Sequence, residues 1–126
     1  PDSRGYTALI VSTYNGHLDA ARLLLARGAN TESVDLKGAT ALSGVAFKGM
    51  TDIAQVLIDN GAQVDHANFS GRTPLMFAIM FGRTDMARLL LSAGANPDHR
   101  DGDGVSARDL AERQGVTGFF DQETGA

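Results

Sequence analysis

The side chains best suited to chemistry in this sequence are its histidines and carboxylates, and neither set has the spacing of a reactive site. His66 and His99 lie 33 residues apart, and Ser33 stands 33 residues before His66. A zinc site needs three or four converging ligands, and two imidazoles so widely spaced are too few. We therefore expect both histidines to be solvent-exposed loop residues.

The acidic segment 98–110, DHRDGDGVSARDL, is similar to a calcium-binding loop in composition only. With Gly104 at the glycine that such a loop requires, His99 occupies the first ligand position and Leu110 replaces the bidentate glutamate. Asp101 is better explained as a turn residue whose carboxylate accepts backbone N–H groups of its own loop. We expect neither a metal nor a cofactor.

The hydroxyl and acidic side chains also lack the arrangement of an enzyme. Ser12, Thr13 and Ser43 have no histidine at a spacing that would activate a nucleophile. The acidic residues are evenly spread, so no acid–base pair stands out, and the glycines do not cluster into a phosphate-binding loop. The sequence therefore predicts that the protein is not an enzyme.

The composition indicates one modest folded domain. The 126 residues are 43% hydrophobic and 21% charged, as in soluble proteins. The net charge of −4 argues against a general nucleic-acid binder, and the absence of cysteine excludes disulfides. Nine of the eleven basic residues are arginine, which favours a bacterial genome. We expect a cytoplasmic location, with the periplasm and secretion as alternatives.

A period of 33 residues organises the elements of the chain. Three independent sets of glycines keep this step, and so do a hydroxyl column and several leucine positions. The glycine sets are Gly5, Gly38, Gly71 and Gly104; Gly16, Gly49, Gly82 and Gly115; and Gly28, Gly61 and Gly94. The hydroxyl column is Thr7, Thr40, Thr73 and Ser106. Such a period is typical of a stacked repeat protein.

Each repeat reads as two helices joined by a tight turn. The hydroxyl residue before the apolar run can cap a first helix, which a left-handed glycine such as Gly49 ends about eight residues later. The second helices are predicted over Asp19–Ala26, Asp52–Asn60 and Asp85–Ala93. Their acidic first residues suit the helix dipole.

This unit resembles the ankyrin repeat. The family pattern D-x-x-G-x-T-P-L-H, then G-H, LL and G-A is most complete in NFSGRTPLMFAIMFGR and LLLSAGAN of the third repeat. The histidine of the pattern is replaced by Ile10, Ser43 and Met76, which removes a hydrogen bond that the family often makes between loop and helix. The resemblance implies an all-α solenoid of stacked helix-turn-helix units with projecting β-hairpin-like loops.

The resemblance also implies a domain organisation. We expect an ankyrin repeat domain over residues 1–120, with repeats at about 2–34, 35–67 and 68–100, a partial capping repeat at 101–120 and a flexible tail at 121–126. Arg108 and Asp109 give the last unit a polar face, as a terminal repeat requires. Phe119 and Phe120 are expected to fold back as a short second helix. The first repeat shows no cap, and we expect further sequence upstream.

The seven apolar residues Leu75 to Phe81 divide by this pattern into core and groove. Leu75, Phe77, Ala78 and Ile79 are expected in the core. The two positions before the first-helix glycine vary in the family and line its concave groove. Those positions are Tyr14, Phe47 and Met80, followed by Asn15, Lys48 and Phe81. The alternative is that Tyr14, Phe47 and Met80 only stack against the next repeat.

The loop tips supply the rest of the expected groove. Its members are variable tip residues, both apolar and basic. They are Tyr6, Leu36, Lys37, Phe69, Arg72 and Arg100. Aromatic and arginine side chains dominate the energy of many protein interfaces.

The sequence therefore predicts a non-enzymatic interaction module that binds a protein or peptide partner. The basic and aromatic residues favour an acidic and apolar segment, and we expect a monomer that binds no nucleic acid and enters no membrane. The alternative hypothesis is a regulatory or targeting domain of a longer protein, which positions or inhibits an enzyme.

Overall fold

The computed structural model describes residues 7–116, which form seven helices. The helices are α1 (Ala8–Tyr14), α2 (Leu18–Ala26), α3 (Ala41–Lys48), α4 (Thr51–Asp59), α5 (Pro74–Met80), α6 (Thr84–Ser92) and α7 (Ala107–Gln114). Within this range no strand forms, and a single antiparallel bridge joins Arg100 to Ser106. The all-α prediction is confirmed. Over the same residues no helix is both long and apolar enough to cross a membrane.

The first helix of each repeat begins and ends as its local sequence dictates. The Thr40 hydroxyl accepts the backbone N–H of Ser43 at 3.3 Å and caps α3. Gly49 then ends α3 in the left-handed conformation, with a φ of 77°. At α7 the cap is reciprocal, because Ser106 accepts the Asp109 amide while the Asp109 carboxylate accepts the Ser106 amide. The predicted caps and the predicted glycine stop are confirmed.

The second helix of each repeat begins and ends within one residue of its prediction. Each carries an aspartate in its first turn, where the free amides of the helix favour negative charge. Its apolar side faces inward, so that Ala54 and Leu57 of α4 are fully buried. These helices are therefore held mainly by the packing of one face.

The helices form two layers. Helices α1, α3, α5 and α7 contact one another in sequence order as an inner layer, and α2, α4 and α6 do the same as an outer layer. Each outer helix also packs on the inner helix of its own repeat. The core therefore runs continuously between the layers, and each helix pair contacts only its neighbours.

The apolar run of α5 is largely buried, with one difference from the prediction. Leu75, Met76, Ala78 and Ile79 are each at most 2% exposed. Phe77, expected in the core, is only partly buried and packs against the core from one side. A helix enclosed by neighbours on three sides leaves one side open, and one of its aromatic residues lies there.

The loops between repeats end in tips of one design, although the histidine of the family pattern is missing. The Asp35 carboxylate accepts the N–H groups of Lys37 and Ala39 at 2.8 and 3.0 Å, and Asn68 and Asp101 make the equivalent bonds. The predicted turn role of Asp101 is thus confirmed. Neighbouring tips are joined by backbone bonds, from the Phe69 N–H to the Lys37 carbonyl at 2.9 Å and from the Gly102 N–H to the Ser70 carbonyl at 2.8 Å.

Candidate functional site

Aromatic side chains lie at the C-terminal ends of the inner helices, as the repeat pattern predicts. The rings of Phe47 and Phe81 meet edge to face, with centroids 4.7 Å apart. Phe81 is 46% exposed and Tyr14 41% exposed, while Phe47 and Met80 are partly buried. The aromatic residues therefore contact the neighbouring repeat and also present part of their surface to solvent.

Lys48 and Tyr14 form a second contact between repeats. The Lys48 ammonium group donates a hydrogen bond to the Tyr14 carbonyl at 3.0 Å and lies 4.1 Å from the centroid of the Tyr14 ring. The ring in turn lies against Gly44, where a Cβ atom would approach it to 3.2 Å. Lys48 thus stabilises the end of α1 and fixes the ring of Tyr14 beside α3. Tyr14 thus packs against the next repeat and also leaves 41% of its surface exposed.

A pocket of about 350 Å³ joins the inner helices to the first described tip. Its walls come from α1, α3 and the loop between repeats one and two. They are Ile10, Val11, Tyr14, Asn15, Asp35, Lys37, Ala39, Thr40, Ala41 and Gly44. The lining of the pocket is mostly apolar, and the loop contributes Asp35 and Lys37 to it. It brings two of the predicted binding residues, Tyr14 and Lys37, to one site.

The loop tips hold the most exposed apolar side chains of the described chain. Phe69 is 78% exposed and Leu36 is 66% exposed. The Phe69 ring covers Gly38 of the preceding tip so closely that a Cβ atom there would lie 2.5 Å from it. Lys37 belongs to the same tip as Gly38, and its side chain forms no ion pair with a described carboxylate. This edge of the molecule is therefore apolar with an available positive charge.

The two arginines predicted to line the groove are engaged within the chain. Arg72 lies 3.5 Å from the Asp101 carboxylate and 4.0 Å from that of Asp103. Arg100 donates to the Gly104 carbonyl at 2.8 Å and lies 3.3 Å from Asp109. Among the described basic residues predicted for the groove, Lys37 is thus the one whose ammonium group forms no ion pair or hydrogen bond within residues 7–116. The predicted groove residue Tyr6 lies outside the described residues, as do Phe119, Phe120 and the predicted tail.

Hydrogen bonds hold these carboxylates in their ionised form. The backbone N–H of Val105, and then the Asp103 amide and Arg72, lower the pKa of Asp101 against a smaller opposing effect of burial. The N–H and hydroxyl of Ser106 lower the pKa of Asp109 in the same way. The negative charges that neutralise the arginines therefore persist well into the acidic range.

The expectation of solvent-exposed histidines is wrong. The His66 ring lies 2.9 Å from the Glu32 carboxylate of the preceding repeat and is only 28% exposed. The His99 ring lies 3.2 Å from the Gly71 carbonyl and is half-buried. Both rings lie at the contact between the loops of neighbouring repeats, and this contact covers part of their surface from solvent.

A column of carboxylates between repeats was missed by the sequence reasoning. Glu32 accepts the Gln63 N–H of the next repeat at 3.2 Å, and Asp65 accepts the Asn96 N–H at 3.0 Å. Burial raises the pKa of Glu32, but hydrogen bonds from Thr31, His66 and the Gln63 amide together hold it below its ordinary value. The 33-residue spacing of these acids was the signal that could have identified the column.

In the described part of the groove and tips, metal-binding side chains do not converge on one point. Over residues 7–116, no group of three histidine or acidic side chains is placed to hold a metal ion. What the arrangement provides is an open surface with exposed rings, a shallow apolar pocket and a lysine. Surfaces of this composition mark sites of protein association.

Comparisons with known proteins agree with the repeat pattern. A family model described as ankyrin repeats in three copies matches residues 28–101, and a model described as a single ankyrin repeat matches residues 4–36. A search of curated proteins found no match.

Proposed function

Because the chain belongs to the ankyrin repeat family, whose members generally serve as protein–protein interaction modules, we propose that it binds an extended segment of a partner protein along its groove and loop tips. The segment combines apolar and acidic side chains. The observation that carries the proposal is the pocket that joins Tyr14 of α1 to Lys37 of the tip, beside the exposed Leu36. The proposed contact residues are Tyr6, Tyr14, Leu36, Lys37, Phe47, Lys48, Phe69, Arg72, Met80, Phe81 and Arg100.

The apolar part of the segment is supported by the exposed side chains. Tyr14, Phe69 and Phe81 are all more than 40% exposed, although each has an apolar ring. Removing such rings from water on binding is favourable by about 25 cal/mol for each Å² of apolar surface. Exposed rings that are already held against a neighbouring repeat are typical anchors.

The acidic part of the segment is supported by Lys37. Lys37 lines the pocket, and its ammonium group has no ion-pair partner among the described residues. Asp35 also lines the pocket, but its carboxylate already accepts two backbone N–H groups of the tip. A carboxylate of the partner can therefore approach Lys37 without competing for an existing ion pair.

The surface is largely preformed. The tips are tied to each other through backbone bonds, and Tyr14 is fixed between Gly44 and Lys48. A surface that is ordered before docking loses little conformational entropy when the partner arrives. This rigidity favours an extended segment that adapts to the groove.

Selection from a library of random peptides tests the proposal. Peptides captured by the wild-type protein are expected to pair Asp or Glu with Leu, Ile or Phe. Tyr14→Ser and Phe81→Ser are each expected to weaken the best peptide by about 30-fold or more, the effect of losing an interface anchor. Lys37→Glu is expected to weaken acidic peptides and to remove most of the salt dependence of binding.

The matched control is Leu23→Ser, which changes a leucine of the outer layer that is 51% exposed. This variant is expected to bind the selected peptide as the wild type does. Circular dichroism establishes that each variant is folded. Selected peptides that bind folded Tyr14→Ser and Phe81→Ser as tightly as wild type would refute the groove, and peptides without acidic residues would refute the charge assignment.

A further inference from the structure

Arg83 lies in the turn between α5 and α6, and its side chain crosses to the preceding repeat. Its Nε–H group donates a hydrogen bond to the Phe47 carbonyl at 2.9 Å. Its Cδ atom passes so close to Gly49 that a Cβ atom on that glycine would lie 2.9 Å from it. The guanidinium group is therefore held against the C-terminal end of α3, although the residue itself is exposed.

The rest of the guanidinium group is unpaired within residues 7–116. There Nη1 and Nη2 of Arg83 make no hydrogen bond, and the group forms no ion pair. Arg72 and Arg100, in contrast, each lie beside an aspartate. A guanidinium group whose Nε is engaged can still bind a carboxylate through both terminal nitrogens. Because the Nε bond already limits the rotation of the group, little further order is lost on binding.

Arg83 lines a cleft of about 310 Å³ between the turns of repeats two and three. The lining residues are Lys48, Gly49, Gly82, Arg83, Thr84, Asp85 and Met86. Two of them are basic and one is acidic, so one positive charge is left uncompensated. A single carboxylate neutralises this charge, whereas a phosphate dianion would leave one negative charge in excess.

Exposed rings of the groove adjoin this cleft. Phe47 immediately precedes Lys48, and Phe81 immediately precedes Gly82. The two rings meet edge to face with centroids 4.7 Å apart, and Phe81 is 46% exposed. An apolar side chain on the ring pair and an acidic side chain in the cleft can therefore come from one segment of a partner.

We propose that Arg83 binds an acidic side chain of the partner segment, with the carboxylate in the cleft and an apolar side chain of the same segment on the rings of Phe47 and Phe81. This inference rests on the proposed function and adds to it a second basic residue that selects an acidic group. Lys37 acts at the tips, and Arg83 acts at the turn end of the groove. The repeat pattern did not indicate Arg83, because its contact with Phe47 forms only when the repeats stack.

Titration with a blocked glutamate tests the site without a partner. The probe is N-acetylglutamate with its α-carboxyl group converted to a methylamide, and NMR follows the Arg83 Nε–H and the Gly49 and Gly82 amides of the full chain. These signals are expected to shift and to saturate with a dissociation constant on the order of a few millimolar, as a ligand of this size allows. The glutamine analogue is expected to bind at least about tenfold more weakly, since it lacks the charge that strengthens the hydrogen bonds.

Two arginine substitutions provide the matched comparison. Arg83→Met removes the guanidinium group but keeps an unbranched side chain over Gly49, as Met50 lies over Gly16 in the preceding turn. Arg22→Met removes the same charge from an exposed position of α2 that does not line the cleft. Both variants are expected to fold as the wild type does. Arg83→Met alone is expected to abolish the shifts of the cleft amides.

Three results of the titration would overturn the proposal. The first is an equal response of the cleft amides to the glutamate and glutamine analogues. The second is a response of the Arg22 Nε–H to the glutamate analogue as strong as that of Arg83. The third is tighter binding of inorganic phosphate than of the glutamate analogue, which would assign the cleft to a phosphorylated group. Because the probe is not a partner, the titration gives its answer even if no peptide is selected.

A selected peptide then separates this inference from the proposed function. Arg83→Met is expected to weaken the peptide by about tenfold, the effect of losing a hydrogen-bonded charge pair. If Tyr14→Ser and Phe81→Ser weaken the peptide and Arg83→Met does not, the groove is supported and the role of Arg83 in partner binding is refuted.

Discussion

Replacement of Gly71 by alanine is expected to destabilise the protein more than the same change at Gly82. Both glycines have positive φ angles, 79° at Gly71 and 70° at Gly82. A Cβ atom on Gly71 would lie 2.8 Å from the Gly102 nitrogen and 3.0 Å from the Asp101 Cα, whereas one on Gly82 would meet nothing within 4 Å. The comparison therefore separates the close approach of two tips from the left-handed backbone alone.

The expected magnitudes follow from these two contributions. An alanine in the left-handed region costs about 1–2 kcal/mol, and the lower entropy of its unfolded chain offsets about 0.4–1 kcal/mol. Gly82→Ala should therefore lower the free energy of unfolding by about 1 kcal/mol. Gly71→Ala adds an overpacking cost of about 1–3 kcal/mol, because the atoms in its way belong to the backbone and cannot rotate aside.

A third variant distinguishes backbone from side-chain contacts. At Gly38 the obstructing atoms belong to the Phe69 ring, which can turn into solvent. Gly38→Ala should therefore fall between the other two variants, and in a Phe69→Ala background its cost should equal that of Gly82→Ala. Urea unfolding followed by far-UV circular dichroism measures all of these values, with unchanged m-values as the check on two-state behaviour. A Gly71→Ala protein that is as stable as Gly82→Ala would refute the close approach of the tips.

Three further predictions concern buried and shared polar groups. Ser43→Ala should raise the free energy of unfolding by about 1 kcal/mol, since the buried Ser43 hydroxyl has no hydrogen-bond partner among the described residues. Thr13→Val should lower the free energy of unfolding, because the Thr13 hydroxyl donates to the Leu9 carbonyl at 2.8 Å. Equal effects of the two substitutions in urea unfolding would contradict both predictions. The pKa of Asp101 is lower in the folded protein than its ordinary value of 3.8, so the unfolded chain binds the proton first as the pH falls. The ionised carboxylate therefore stabilises the fold at pH values above 3.8, and this stabilisation is lost as the pH falls through the lower pKa of the folded protein. Asp101→Asn should flatten that part of the stability profile, and an unchanged profile would refute the assignment. Glu32→Gln and His66→Ala should show a coupling of about 0.5–1 kcal/mol in a double-mutant cycle, which would be absent if the two repeats did not share this contact.

The architecture could be predicted from the sequence because its signals are local. A hydroxyl residue before an apolar run and a glycine after it determine where α3 begins and ends, whatever surrounds the helix. The turn role of Asp101 is local in the same sense, since its carboxylate accepts N–H groups two and four residues further on. The 33-residue repetition then makes each local pattern recognisable several times.

Contacts between repeats were not accessible in this way. The environment of His66 depends on Glu32, which stands 34 residues earlier and comes close only when the repeats stack. Likewise, the charges of Arg72 and Arg100 were expected to be available to a partner, but their neutralisation depends on the path of the following loop. The period could have indicated which columns face each other, but the identity of each contact depends on tertiary packing.

In each loop tip, the groups that hold the loop in shape differ from the side chains that are exposed on its surface. Backbone groups and the column of Asp35, Asn68 and Asp101 supply hydrogen bonds in all three described tips, whereas Leu36 and Lys37 contribute only backbone atoms to them. Substitutions at these displayed positions can therefore accumulate over evolution without loss of the fold. With the proposed binding role of the tips, a change of a few tip residues would exchange one partner for another.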